Sequence, residues 1–214
     1  MIDDAYSTIG TAARAELKVQ GSRFLALSFP VSAREDAIGR WKSIKKEYHD
    51  ATHHCYAYRL GREGLDFRSS DDGEPSGTAG RPILSAIDRR GLSDVLVVVV
   101  RYFGGTKLGM GGLARAYAEA AETVLAVSAP ETRYAREVLH IAFDHALTPR
   151  IMRAADAAGA TVAGSEYGEC ARLALAVRAS RVEALRTALV NATSGAVRFE
   201  DEKVAGSPKV DPGL

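Results

Sequence analysis

A glycine-rich segment, residues 104–112, carries residue types suited to binding an anion. Five of its nine residues are glycine, which permits positive φ angles and lets bare backbone N–H groups approach a ligand. The segment joins an apolar run to a helical pattern, so the positive end of that helix would add to the attraction. Lys107, Arg101 and Arg115 would supply the remaining positive charge. The candidate ligand-binding residues are Arg101, Tyr102, Gly104, Gly105, Thr106, Lys107, Gly109, Gly111 and Gly112.

Two familiar phosphate-binding motifs do not fit this segment. A Walker A loop needs Gly-Lys followed by Ser or Thr, whereas Lys107 follows Thr106 and precedes Leu108. Residues 109–114 fit a loose GxGxxA, but no second parallel strand with an acidic end follows within about 20 residues. The alternative to anion binding is a tight packing corner between a strand and a helix.

A second polar segment, residues 69–82, is rich in Ser, Asp, Gly and Pro. Loops of this length inside compact domains are usually functional or disordered, although such residues are also common in plain surface loops. We expect the two segments to face one another across a groove. The second segment would add Gly77, Thr78, Gly80 and Arg81 to the anion-binding residues.

Catalytic and metal-binding residues are less clearly marked. If the protein is an enzyme, Glu74 or His54 would be the general base, with Asp71 as a further candidate. Asp71, Asp72 and Glu74 are weak candidates for holding Mg²⁺ with the help of a ligand phosphate; no other cofactor is expected. Adjacent strand residues point to opposite faces, so only one of His53 and His54 can join a given site. No nucleophile is convincing, and GxSxG is absent.

Composition excludes several classes of protein. The 214 residues are 46% hydrophobic and 26% charged, as in globular proteins, and the net charge of +1 gives no bulk attraction to nucleic acid or membrane. The longest apolar run, residues 95–100, is far shorter than the ~20 residues of a membrane helix. The N-terminus is acidic where a signal peptide is basic, and the two cysteines show no metal-binding spacing. We expect a cytoplasmic protein without membrane contact.

The elements that must position these residues form two halves. In the first half the patterns predict strands at 15–19, 24–29, 54–60, 65–68 and 95–102, the last of them central, and helices at 32–48, 82–91 and 113–127. Ser32 with Glu35, and Ser180 with Glu183, match the capping-box pattern. The second half reads strand, helix, strand, strand, helix, strand, the βαββαβ order of a ferredoxin-like domain. We therefore predict domains at 1–130 and 131–204 and a disordered tail at 205–214.

Four segments, residues 22–24, 51–58, 71–80 and 99–109, resemble the YigZ/IMPACT family, also called UPF0029. The resemblance covers residues 15–127 and is highly specific. It implies an α+β fold with an N-terminal domain similar to the second domain of ribosomal protein S5. The ferredoxin-like C-terminal domain resembles the last domain of elongation factor G.

Both fold resemblances imply RNA or the ribosome as partner, although a fold alone does not fix function. The leading hypothesis is a binding protein that regulates translation, with an anion-binding groove for RNA phosphates in its N-terminal domain. Tyr102 or His54 would stack on a base, and the C-terminal domain would contact the ribosome or a protein. The alternatives are an enzyme acting on a small phosphorylated or carboxylated metabolite, and a protein-interaction module. The sequence does not indicate an oligomeric state.

Overall fold

The central strand of the N-terminal unit is the most apolar segment of the chain. A computed structural model describes residues 4–200 and divides them into two units, Ala5–Arg133 and Asp4 with residues 134–200. In the first unit the strands β2 to β6 form one antiparallel sheet in the order β2-β3-β6-β4-β5, and β1 pairs with β7. The elements are β1 Ala5–Ile9, β2 Ala13–Val19, β3 Ser22–Pro30, α1 Arg34–Glu47, β4 His53–Leu60, β5 Asp66–Ser70, α2 Gly80–Arg89, β6 Val95–Tyr102, α3 Gly109–Val127 and β7 Pro130–Tyr134.

Both faces of this sheet are covered. Residues 95–100 of β6 are fully buried because α2 and α3 pack on one face and α1 packs on the other. A β-branched run suits such a position, where neither face of the strand meets water. The prediction that this segment forms a central strand is confirmed.

Strand alternation then decides which side chains reach which helices. On β4 and β6 the side chains of Cys55 and Val99 pack with α2 and α3, whereas those of Tyr56 and Val100 pack with α1. By the same alternation His53 and Arg101 belong to the α2/α3 face. His54 and Tyr102 belong to the α1 face.

The C-terminal unit has the predicted βαββαβ order. Its antiparallel sheet runs β11-β8-β10-β9, and α4 and α5 cover one face with a core of Ile141, Leu175 and Leu189 among others. This is the ferredoxin-like arrangement, so the fold prediction is confirmed. The elements are β8 Arg136–Phe143, α4 Thr148–Ala157, β9 Thr161–Tyr167, β10 Ala171–Arg178, α5 Val182–Thr193 and β11 Arg198–Glu200.

Some local predictions are wrong. The helices α1 and α5 start after Ala33 and Arg181, and neither of these N-cap residues forms a side-chain cap. Ser180 instead donates its N–H and hydroxyl to Asp4. Strands β1 and β7 were not predicted.

The predicted tail at 205–214, and the last four residues of the predicted C-terminal domain, lie outside residues 4–200. Within residues 4–200, no helix is both long enough and apolar enough to cross a membrane.

Candidate functional site

A buried ion pair lies beneath the start of α3. The Glu74 Oε1 atom accepts hydrogen bonds from Arg101 Nη1 and from the Tyr117 hydroxyl, each at 2.7 Å. Arg101 is only 4% exposed, and its Nε has no hydrogen-bond partner within residues 4–200. His53 approaches the same carboxylate, with Nε2 at 3.8 Å from Oε1. Strand β6 thus carries the buried cation, Arg101, and the loop before α2 carries its counter-ion, Glu74.

The neighbouring thiol and phenol keep their protons. Burial raises the pKa of Cys55 well above its ordinary value, and the acidic side chains nearby add to this although the Tyr117 hydroxyl opposes it. Burial also raises the pKa of Tyr117, with Cys55 and Glu74 as smaller causes. Cys55 donates its S–H to the Asp71 carbonyl at 3.0 Å, and Tyr117 donates to Glu74. Cys55 is therefore a structural donor and not a nucleophile.

Asp71 binds the backbone amides of the polar segment at residues 69–82. Its Oδ1 accepts from Ala79 N at 2.9 Å and Gly80 N at 2.8 Å, and its Oδ2 accepts from Gly77 N at 2.9 Å. Burial raises the pKa of Asp71, but these three N–H groups and Arg81 outweigh it and leave the pKa below its ordinary value. The amides of Gly77 and Gly80, predicted to bind a ligand anion, instead bind the protein's own carboxylate. Thr78 likewise donates its N–H and hydroxyl to the Pro75 carbonyl.

Asp72 is also engaged internally. It accepts from Lys45 Nζ at 2.7 Å and from the His54 amide at 2.9 Å. Burial raises the pKa of Asp72, but the Lys45 and His54 contacts outweigh it and lower the pKa overall. The carboxylates of Asp71, Asp72 and Glu74 therefore each have separate internal partners. Within residues 4–200, no group of three or more His, Cys, Asp or Glu side chains is placed to hold a metal ion. Mg²⁺ binding by one of these carboxylates together with a ligand phosphate stays a prediction.

The glycine-rich segment divides into a packed part and an open part. A Cβ on Gly104 would lie 1.9 Å from the Gly21 carbonyl carbon, and the Gly104 amide donates to the Ser22 hydroxyl. Gly104 is therefore a packing glycine and not a ligand contact. The amides of residues 105–111 have no acceptor within residues 4–200, and α3 has no side-chain cap at its N-terminus. These N–H groups are free to meet an anion.

The open part of the segment borders a cleft of about 280 Å³. Its exposed walls are Phe103, which is 49% exposed, and Met110, which is 64% exposed. Lys107 adds an exposed cation, and the Glu74–Arg101 pair lines the same cleft. The two polar segments thus contribute to one cleft, whose lining residues are Glu74, Pro75, Arg101, Phe103, Lys107, Leu108, Gly109, Met110 and Leu113.

Two predicted residues lie on the other face of the sheet. His54 is buried, with its Nε2 hydrogen-bonded to the Tyr48 carbonyl at 2.8 Å. The Tyr102 ring lies under the Arg23 guanidinium, 4.2 Å from its centre, and its hydroxyl donates to Asp50. Neither side chain is placed to stack on a ligand in the cleft, and His54 is not placed to act as a base there.

Sequence reasoning did not select the aromatic and apolar walls of the cleft as site residues; for Phe103 it left base stacking and hydrophobic packing as equal alternatives. Phe103 and Met110 lie inside the glycine-rich segment, where their exposure could not be deduced from composition. His53 and Tyr117 were also missed as partners of Glu74. The alternation of β4 would have favoured His53 over His54 once the face carrying α3 was known. The remaining predicted residues, Thr106, Arg81, Gly111 and Gly112, lie near the start of α3 or on α2 but do not line the cleft.

Comparison with known proteins identifies both units. Residues 20–125 match the family model described as the Impact N-terminal domain, and residues 141–196 match a Domain of unknown function, DUF1949. IMPACT family member YvyE of Bacillus subtilis is 39% identical over 141 residues, which cover 66% of this chain and 65% of that relative. An IMPACT family member of Haemophilus influenzae is 32% identical over 182 residues, which cover 84% of this chain and 88% of the relative.

A solved structure has a similar fold. A crystal structure described as that of a hypothetical protein superposes with a TM-score of 0.77 at 25% sequence identity. The match covers 94% of this chain and 100% of that one. The fold described above is therefore also found in an experimental structure.

Proposed function

The chain belongs to the IMPACT family, and we propose that its N-terminal unit binds single-stranded RNA at the start of α3, as part of a role in regulating translation. One juxtaposition carries the proposal. Residues 107–110, whose amides are free, and the exposed Phe103 line the same cleft. Amides at a helix N-terminus attract a phosphate, and an exposed aromatic ring stacks on a base.

The charges of the cleft agree with a phosphate ligand. The Glu74 carboxylate is neutralised by Arg101 at 2.7 Å, so the carboxylate at the base of the cleft does not repel an anion as an unpaired charge would. Lys107 then gives the cleft an excess positive charge. The unpartnered Nε of the buried Arg101 adds positive polarity to the same wall.

Fluorescence anisotropy tests this proposal by measuring the binding of a labelled pool of short RNAs with randomised sequence. Phe103→Ala removes the stacking surface and should weaken binding roughly tenfold. Lys107→Ala should weaken binding of all sequences and reduce the slope of log affinity against log salt by about one. The matched controls are Phe67→Ala, an exposed phenylalanine on the edge strand β5, and Lys42→Ala, an exposed lysine on α1. Equal binding by all five proteins would contradict the proposal.

The proposed role in translation rests on the fold resemblance to ribosomal protein S5 and elongation factor G. If it is correct, the full chain should co-sediment with ribosomes, and Lys107→Ala should reduce the bound fraction. In the C-terminal unit the sheet face opposite α4 and α5 carries Arg172, which pairs with Glu200, and Arg178, which lies over the Tyr134 ring; both would take part in such a contact. A protein that remains at the top of the gradient at low salt would contradict this part.

One observation favours a second function, an enzyme acting on a small phosphorylated or carboxylated molecule. Glu74 places a carboxylate at the wall of an anion-binding cleft, where it would serve as a general base. Salt dependence separates the two functions. Affinity for a strand that contacts several phosphates falls steeply with salt, whereas affinity for a compact molecule at one site changes less.

A further inference from the structure

The two oxygens of the Glu74 carboxylate have different surroundings. Oε1 is held by Arg101 and Tyr117, whereas Oε2 has no donor within residues 4–200. Unlike the Nε atom of Arg101, this unpaired oxygen is not sealed from solvent. Glu74 lines the cleft and its side chain is 3% exposed, so Oε2 is the carboxylate oxygen left as an oriented hydrogen-bond acceptor at the cleft wall.

Such an acceptor requires a donor from the ligand. A phosphate diester carries no proton to donate, and the chain forms no cluster of metal ligands here within residues 4–200. The remaining donors of a nucleotide are the hydroxyl of the ribose and the N–H groups of the base. With the base on Phe103 and the phosphate at the amides of α3, the sugar is the part that lies between them.

We infer that Glu74 Oε2 accepts a hydrogen bond from a ribose 2′-hydroxyl and thereby makes the cleft select RNA over DNA. This inference rests on the proposed function and names the group that gives it specificity. The Arg101 and Tyr117 donors hold the carboxylate in place before the ligand arrives, so little ordering accompanies binding. The 2′-hydroxyl is the chemical group that distinguishes RNA from DNA at a protein site.

Chemical changes in the ligand test the inference without altering the protein. The probes are the randomised RNA pool, the same pool with 2′-deoxyribose, and the same pool with 2′-fluororibose. Fluorine keeps the RNA-like sugar conformation but cannot donate a hydrogen bond. Because hydrogen bonds to charged groups are strong, RNA should bind at least about tenfold more tightly than either analogue.

A substitution of Glu74 provides the second test of the inference. Glu74→Gln keeps an oxygen for Arg101 and Tyr117 but places an amide NH₂ where the free acceptor was. Its ratio of RNA to 2′-deoxy affinity should fall to near one. Glu119→Gln makes the same change at an exposed position of α3 and should leave the ratio as in the wild type.

The outcomes separate the two proposals. Equal affinity of the wild type for RNA and both analogues would overturn the role of Glu74 while leaving nucleic-acid binding in place. Weak binding of the 2′-deoxy pool together with full binding of the 2′-fluoro pool would also overturn it, because sugar conformation would then be the cause. Absence of binding to all three pools would overturn the proposed function and this inference with it. If Glu74→Gln does not fold, as judged by circular dichroism, the ligand series alone decides.

Discussion

The two glycine-rich segments of the N-terminal unit look alike in sequence and differ in what their amides bind. In the first, the amides of Gly77, Ala79 and Gly80 bind the Asp71 carboxylate six to nine residues earlier in the chain. In the second, the amides of residues 105–111 have no acceptor within residues 4–200. Both segments precede a helix, α2 or α3. The comparison shows that an internal carboxylate converts an anion-binding geometry into a structural one.

The largest expected effect comes from removing that carboxylate. Asp71→Ala leaves three amides at the start of α2 without their acceptor, so we expect a loss of about 3 kcal/mol in the free energy of unfolding. Trp41, the only tryptophan, lies in the same unit, so denaturant unfolding can be followed by its fluorescence. Asp36→Ala, which removes an exposed pair with Arg40, should cost less than about 0.5 kcal/mol. A similar small loss for Asp71→Ala would contradict the structural role of the first segment.

A related effect should be visible in the dependence of stability on pH. Asp71 and Asp72 have pKa values below the ordinary 3.8, so their contribution to stability is fully present above that value. It is lost as pH falls through their lower folded pKa values. Unfolding followed by Trp41 fluorescence at successive pH values should show a flatter acid limb for Asp71→Asn than for the wild type. Identical acid limbs would show that Asp71 does not titrate differently on folding.

The smallest expected effect on stability comes from a glycine in the segment whose amides are free, residues 105–111. A Cβ on Gly111 meets only the Arg115 guanidinium at 3.7 Å, so Gly111→Ala should stabilise α3 by about 0.5–1 kcal/mol. If Gly111 admits a ligand close to the backbone, the same variant should bind the RNA pool less tightly. Gly104→Ala, by contrast, should destabilise the unit because of the clash with Gly21. Unchanged binding by Gly111→Ala would mean that the ligand does not approach this amide.

Much of the fold was predictable from sequence, and the site was predictable only in part. The apolar run of β6 and the βαββαβ order of the second half follow from residue patterning, and the structure contains both. The same patterning could not show that Asp71 would fold back onto its own loop, because an Asp-rich polar loop has the same composition whether its carboxylates bind amides or solvent. Nor could it distinguish His53 from His54, since that choice depends on which face α3 covers.

The capping box predicted at Ser180 failed for a related physical reason. Ser180 has a stronger partner in the Asp4 carboxylate than in an amide of α5, and Asp4 lies far away in sequence. Local sequence patterns compete with such long-range contacts, and the long-range contact wins where it offers a charged acceptor. The exposure of Phe103 could not be predicted from local sequence for the same reason, because exposure is set by the packing of distant elements.

The most direct test of the central claim is an NMR titration of the full chain with inorganic phosphate, observing the backbone amides of both segments. The amide resonances of Lys107, Gly109 and Met110, which line the cleft, should shift with a common saturation curve, while those of Gly77 and Gly80, already bonded to Asp71, should stay in place. Unshifted resonances at residues 105–111, or shifts that begin at Gly77 and Gly80, would contradict the claim that only the second segment binds an anion.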